Sequence, residues 1–325
     1  MANVSQAGTV DQVGVEHGRQ ARIADRTARI VFLVCAILLI VIIISVFIFI
    51  GLNAFRVFTE GASLKKFFFS TFWDPTGNND PTGNGNPSFG AGGLILGSVV
   101  ITLFSVLIAV PLAFGMALSF TEVIPHWLAN LLQPLIEIFT GMPSVVVGFL
   151  GLIVLVPFLK NVAAPFDGNL ATGGFGWGAA ILVLVIMILP TIISVSIDAL
   201  RAVPGSVREA SLALGSTRWQ MMTRAIIPAA APGLATAVVL GMARAIGETL
   251  AVSIVLGGNA LPQPLFSLLA FFQPSTNITK AIVDDFQETS GASRDAFWTL
   301  AFILLVISFL FICFSRYFTS RRVYK

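Results

Sequence analysis

The stretch Leu234–Leu256 reads LATAVVLGMARAIGETLAVSIVL. At 1.5 Å of rise per residue, a helix of this length crosses a hydrocarbon core about 30 Å thick. Almost every position is apolar or small, and the exceptions are Arg244 and Glu248. A charge near mid-bilayer costs about 3 kcal/mol or more, so an ionisable residue there is by default functional. The spacing of four puts both side chains on one helix face, where they can pair or share a ligand. Something charged is expected to pass this point, and the guanidinium points to an anion.

The rest of the chain agrees with a membrane reading. Of 325 residues, 56% are hydrophobic and 11% are charged, against roughly 25% charged in a soluble domain. The net charge of +3 is too small on so apolar a chain to indicate nucleic acid. Cys35 and Cys313 lie inside apolar runs, which argues against a disulfide framework. A long polar stretch precedes the first apolar run, and Val31–Leu52 is too long for a signal peptide, so it is expected to stay as an anchor.

Six apolar segments can be drawn, at 31–52, 92–119, 131–158, 178–199, 233–256 and 297–315, giving an all-α integral membrane protein with six transmembrane helices. Pro134, Gly141, Pro143 and Pro157 interrupt the third, which is expected to be kinked or in two pieces. The expected organisation is a tail at 1–29, a first span at 30–53, an external loop at 54–91, a transmembrane domain at 92–318 and a terminal tail at 319–325. Arginines cluster before segment one, between segments four and five, and after segment six. Basic residues favour the cytoplasmic side, so both termini are expected inside, in the plasma (inner) membrane of a bacterium.

Two loops carry patterns. Asp74-Pro-Thr-Gly-Asn is repeated at Asp80-Pro-Thr-Gly-Asn, a turn-rich composition expected to form a flexible, hydrated excursion or a docking surface. The loop 200–232 contains Ser206-Val-Arg-Glu209, which fits a capping box, then helix formers and Gly215 as a stop. A second short helix is expected from about Thr217 to Ile226, ending at Pro228. Two short amphipathic helices joined at a glycine suit insertion into a cleft on a partner protein.

Glu209-Ala210-Ser211, Gly215 and Ile227-Pro228 resemble, in correct spacing, the EAA loop of ABC importer permeases. The departures are Ser211, Ala225 and Ile227, which are small or apolar exchanges. Glu137 to Gly148, Asp198 to Pro204 and Arg244 to Thr249 resemble the PstC family, the permease subunits of phosphate importers, so that the likeness covers about 92–318. The resemblance implies a type I ABC importer permease core with a cytoplasmic coupling helix near Arg208–Thr217. It assigns ATPase coupling to Arg208, Glu209, Ala210, Ser211 and Gly215. It also implies a PstA-like second permease subunit, a dimeric ATP-binding subunit and an extracytoplasmic phosphate-binding protein. No lysine follows a glycine, so the chain lacks a phosphate-binding loop. ATP is then bound and hydrolysed by a partner, and the chain needs no cofactor and is no enzyme.

Four charged residues fall in or at the ends of the spans. Asp198 is expected to pair with Arg201 or another loop base. Glu137, in the proline-broken segment, either satisfies backbone donors at the bend or faces the pathway. Arg244 offers a fork of donors suited to two phosphate oxygens, and Gly241, Ala243, Ala245 and Gly247 leave room beside it. Glu248 either neutralises Arg244 while the pathway is empty or accepts a hydrogen bond from the phosphate hydroxyl. Substrate translocation is thus assigned to Arg244, Glu248 and Glu137. A permanent Arg244–Glu248 lock is the competing reading, with arginine before glutamate being the weaker helical order. A sulfate or molybdate permease would share the loop without needing this pair. An ion-coupled secondary anion transporter would show internal repeats, which are not found. An intramembrane enzyme would need a nucleophile or metal set, and the two histidines, His17 in the polar tail and His126 in a short turn, argue against one.

Overall fold

Apolar in every direction from Ile30 to Phe49, the N-terminal segment has no single face to bury and forms one helix, α1 (Ala7–Ala54), with these side chains facing outward. The computed structural model describes residues 7–59, 63–77, 87–165, 173–262 and 268–323. The chain divides into two units, 1–52 and 53–325. The helix begins well inside the expected polar tail, because alanine, arginine and glutamine there favour helix and no proline stops it.

In the second unit, α2 (Arg56–Thr59) and α3 (Leu64–Phe69) lead to a short antiparallel pair, β1 (Trp73–Asp74) and β2 (Ser88–Phe89), with Trp73 opposite Phe89. The first copy of the repeat is not a hydrated excursion. Asp74 is 3% exposed, and its Oδ1 accepts from Thr76 Oγ1 and Gly77 N at 3.0 Å each. Ser293 Oγ donates to Pro75 O at 2.7 Å, tying this turn to the body. The second copy, Asp80–Asn84, lies outside the described residues.

The apolar helices follow. They are α4 (Gly92–Leu118), extended by a π-helical turn at Ser119–Val123, then α5 (His126–Thr140), α6 (Ser144–Leu150), a π turn at Gly151–Leu155, α7 (Val156–Ala163) and α8 (Trp177–Arg201). After the loop come α9 (Gly205–Ala213), α10 (Arg218–Met221), a π turn at Met222–Ile226, α11 (Ile227–Gly247), α12 (Leu250–Leu256), α13 (Ile278–Asp285) and α14 (Ala292–Val323). Among the described residues, six helical stretches are long and apolar enough to cross a bilayer: Asp25–Thr59, Gly92–Val123, Ser144–Ala163, Trp177–Arg201, Arg218–Gly247 and Ala292–Tyr317.

The core centres on α8, against which α4, α5, α11 and α12 pack. Its Ala180, Ile188, Ile192 and Leu200 are completely buried. Small residues let α11 come close: a Cβ on Gly241 would lie 2.4 Å from Ile192 Cγ1, and one on Gly233 2.4 Å from Ala199 Cβ. Helices in lipid gain little hydrophobic drive from meeting, so such close backbone contact holds them together.

Four local expectations are corrected. The third segment is in two pieces, as expected, broken at Gly141–Pro143, but the crossing is not 131–158: α5 is a separate amphipathic helix, and the crossing runs Ser144–Ala163, straight through Pro157. Helix also continues past Pro228, from Arg218 to Gly247. In both places a wide turn precedes the proline, with Val156 N bonding Gly151 O and Ile227 N bonding Met222 O. The wider turn accommodates a residue that lacks an N–H and crowds the preceding turn. Ser206 caps nothing, because Pro204 is the N-cap of α9; the capping box lies at Thr217 and Gln220 on α10. Finally, 233–256 is not one helix, since α11 stops at Gly247 and Glu248 is extended at φ −74°, ψ 129°.

Candidate functional site

The break after Gly247 sets the geometry of the candidate site. Arg244 lies on the last turn of α11, with Glu248 in the break before α12. Arg244 Nη1 donates to Thr191 Oγ1 of α8 at 3.0 Å. Nη2 donates to the Thr140 carbonyl at 3.1 Å, one of the oxygens left free at the C-terminus of α5. Glu248 Oε1 lies 3.9 Å from Arg244 Nε, beyond hydrogen-bond distance. The side chains are 24% and 13% exposed, so both remain reachable. The two form a long ion pair, and the helix ends between its members.

Glu248 also borders a small cavity of about 20 Å³, lined by the polar side chains of Ser98, Thr102, Asn277 and Thr279 among others. That volume admits about one water molecule. Gly247 meets nothing within 4 Å where a side chain would stand, so open space adjoins the break.

Glu137 is not gathered into this group. It is exposed on α5 and accepts from Gln133 Nε2 at 3.1 Å, while Gln133 Oε1 accepts from Arg201 Nη1 at 3.0 Å. It does not hold the bend through backbone donors. Arg201 is thereby committed to Gln133 rather than to Asp198, which is exposed; the expected Asp198 pairing is not formed among the described residues. Sequence reasoning missed Thr191 and Thr140. The available signal for Thr191 was a hydroxyl following Pro190 inside an apolar span.

The second cluster is the hairpin formed by α9, Gly215 and α10. Gly215 adopts φ +80°, which glycine tolerates at little cost. Its N–H donates to Leu212 O at 2.9 Å, closing the end of α9. Ser211 Oγ and Ser216 Oγ lie 2.8 Å apart, and Ser216 Oγ donates to Ser211 O at 2.7 Å, so the serine that departs from the usual alanine pins the turn. Glu209 and Ala210 are exposed, as a docking surface requires. Leu214, 89% exposed, and Trp219, 68% exposed, stand beside them and were not singled out from sequence.

Arg208 does not face outward with them. Its Nε donates to Glu122 Oε1 at 3.0 Å, Nη1 to Val203 O at 2.7 Å and Nη2 to Leu200 O at 3.0 Å. It binds α9 to the end of α8 and to the turn that extends α4. Arg208 thus anchors the hairpin to the bundle.

A mostly helical bundle built around one central span, carrying a helical hairpin and an ionisable break, defines a class. The chain belongs to the family of binding-protein-dependent transport system inner membrane components, which it matches over residues 109–324. It is 40% identical over 309 residues to the probable ABC transporter permease protein YqgH of Bacillus subtilis strain 168, the match covering 94% of each chain. It is 35% identical over 295 residues to the phosphate transport system permease protein PstC of Pasteurella multocida, covering 85% of this chain and 88% of that one. Its fold is similar to that of the inward-facing MetNI methionine ABC transporter, with a TM-score of 0.54 and 16% identity over 71% of this chain and 94% of that one. The fold is that of a type I ABC importer permease, and the chain is a membrane transport component.

Proposed function

We propose that the chain is the permease subunit of an ATP-driven importer of inorganic phosphate and supplies half of the translocation pathway. The observation that carries this reading is Arg244, a half-buried guanidinium whose close partners are a neutral hydroxyl and a carbonyl and whose carboxylate neighbour stands off at 3.9 Å. Its charge is left largely available, and its fork suits two phosphate oxygens. The likeness to permeases named for phosphate transport supports the same substrate.

ATP hydrolysis falls to a separate dimeric ATP-binding subunit, since no Gly-Lys step exists for a phosphate-binding loop. The hairpin at 205–217 docks on that subunit from the cytoplasm, through Glu209, Ala210, Leu214 and Trp219. A PstA-like permease completes the pathway and an extracytoplasmic phosphate-binding protein delivers the ion. Both termini lie inside, and the chain carries no cofactor of its own.

Movement of the hairpin has two routes to the site. One is the continuous helix Arg218–Gly247, which ends at Arg244 and the break. The other is Arg208, which grips the end of α8, the helix that holds Thr191. Displacing α8 against α11 would pull Thr191 from Arg244 and open the site. Glu248, as an acceptor, takes the hydroxyl proton of phosphate into a hydrogen bond; fully ionised sulfate has no such proton and leaves a buried acceptor unpaired.

The test is uptake in a strain lacking the chain. Restored phosphate uptake without sulfate or molybdate uptake is the expected result, and restored sulfate uptake would assign the chain to the other oxyanion. Glu248→Gln should narrow the preference for phosphate over sulfate, and an unchanged preference would remove Glu248 from recognition.

A further inference from the structure

We propose that the flank formed by α2, α3, α4 and α14 is a binding site for an anionic phospholipid. These helices surround a slot of about 380 Å³ whose walls include Phe55, Phe58, Leu64, Phe68, Phe302 and Ile303. The hydroxyl in the wall, that of Thr299, already donates to Ala54 O at 2.7 Å and Asp295 O at 3.1 Å. The slot therefore offers no polar partner, and a water or a free phosphate ion finds nothing to bind there.

Its shape favours a chain over a compact molecule. Along α14 the lining runs from Thr299 to Ile307, a rise of roughly 12 Å at 1.5 Å per residue. Thr299 lies near the start of α14 and Ile307 toward its middle, so the slot runs inward from one end of the span.

The same end carries positive charge. Arg56, Lys65 and Lys66 are exposed, and the ion pairs among the described residues involve none of them. Helix α3 divides two environments. Leu64 and Phe68 line the apolar slot, while Lys66 lines an adjoining hollow of about 300 Å³ together with the hydroxyl-bearing Ser63, Ser70 and Ser88. One molecule with an aliphatic tail and a negatively charged, hydroxyl-rich phosphate head satisfies both sides. Phosphatidylglycerol has that chemistry, and the site is independent of the transport reading.

The experiment is native mass spectrometry of the full chain taken from membranes containing equal phosphatidylglycerol and phosphatidylcholine. Wild type should retain the glycerol lipid about fivefold over the choline lipid, the preference expected of a local basic cluster. Lys65→Gln with Lys66→Gln should erase the preference, and Lys65→Arg with Lys66→Arg should keep it. Ile303→Trp should reduce retention of both lipids by filling the slot, with Val306→Phe as the alternative if that variant does not fold. Equal retention by wild type, a preference that survives the glutamine changes, or retention unaffected by filling the slot would each overturn the proposal. Displacement of the lipid by inorganic phosphate would also overturn it, reassigning the cluster to a free ion.

Discussion

Arg208 and Arg244 are the same residue placed in two regions of one bundle, and their surroundings differ in kind. Arg208 has a carboxylate at 3.0 Å and two carbonyls at 2.7 and 3.0 Å, so its charge is neutralised and its donors are committed. Arg244 has a hydroxyl and one carbonyl at 3.0 and 3.1 Å, with its carboxylate at 3.9 Å. A charge at the end of a span can be saturated by the free carbonyls found there. The one beside the helix break is held in position yet left unsatisfied, which is the condition for meeting a mobile anion. On the proposed function, the hairpin would transmit force and the break would respond to it.

That contrast can be broken, starting with the largest effect on stability. Arg208→Ala strands Glu122, whose side chain is 9% exposed, and should cost about 3 kcal/mol, lowering Tm by several degrees. Adding Glu122→Gln should recover part of the loss. If Arg208→Ala left Tm unchanged and only weakened ATPase binding, Arg208 would be a docking residue after all. Gly215→Ala comes next. A Cβ there meets nothing within 4 Å, so the penalty is conformational alone, about 1 kcal/mol for a left-handed residue. It should weaken ATP-driven uptake severalfold while the chain still folds, and normal uptake would show that the hairpin tolerates a shifted turn.

The smallest effect lies on the opposite side of the molecule. Burial, then the neighbouring Asp284 and Glu288, push the Asp285 carboxyl above its ordinary range near 3.8, against the pull of Lys280. The folded state thus favours the protonated form, and that stabilisation is lost as pH rises through the raised value. Asp285→Asn should raise Tm slightly at neutral pH, with the gain vanishing below pH 3.8. A gain that persisted in acid would point to packing instead of charge.

How much of this could be read in advance follows from distance along the chain. The six crossings were legible because hydropathy is local, and the helical hairpin because its glycine and helix formers sit within a few residues. Gly141 and Pro143 marked a real break, but Pro157 and Pro228 misled, since a π turn ahead of either leaves no mark in composition. The break at Glu248 was hidden for the converse reason: the sequence there contains no proline. Partners from remote segments were beyond pattern reading. Thr191 is 53 residues from Arg244, and Glu122 is 86 residues from Arg208. So the sequence marked Arg244 as a charge inside an apolar span, but not that Arg208 was already spoken for.

The most direct measurement is phosphate uptake by the full assembly reconstituted with Arg244→Ala. Two hydrogen bonds from a charged group are worth together about 3 kcal/mol, so uptake should fall roughly a hundredfold while the subunits still assemble and hydrolyse ATP. Arg244→Lys, keeping the charge but losing the fork, should also be damaged. Uptake near the wild-type rate in Arg244→Ala would contradict the account.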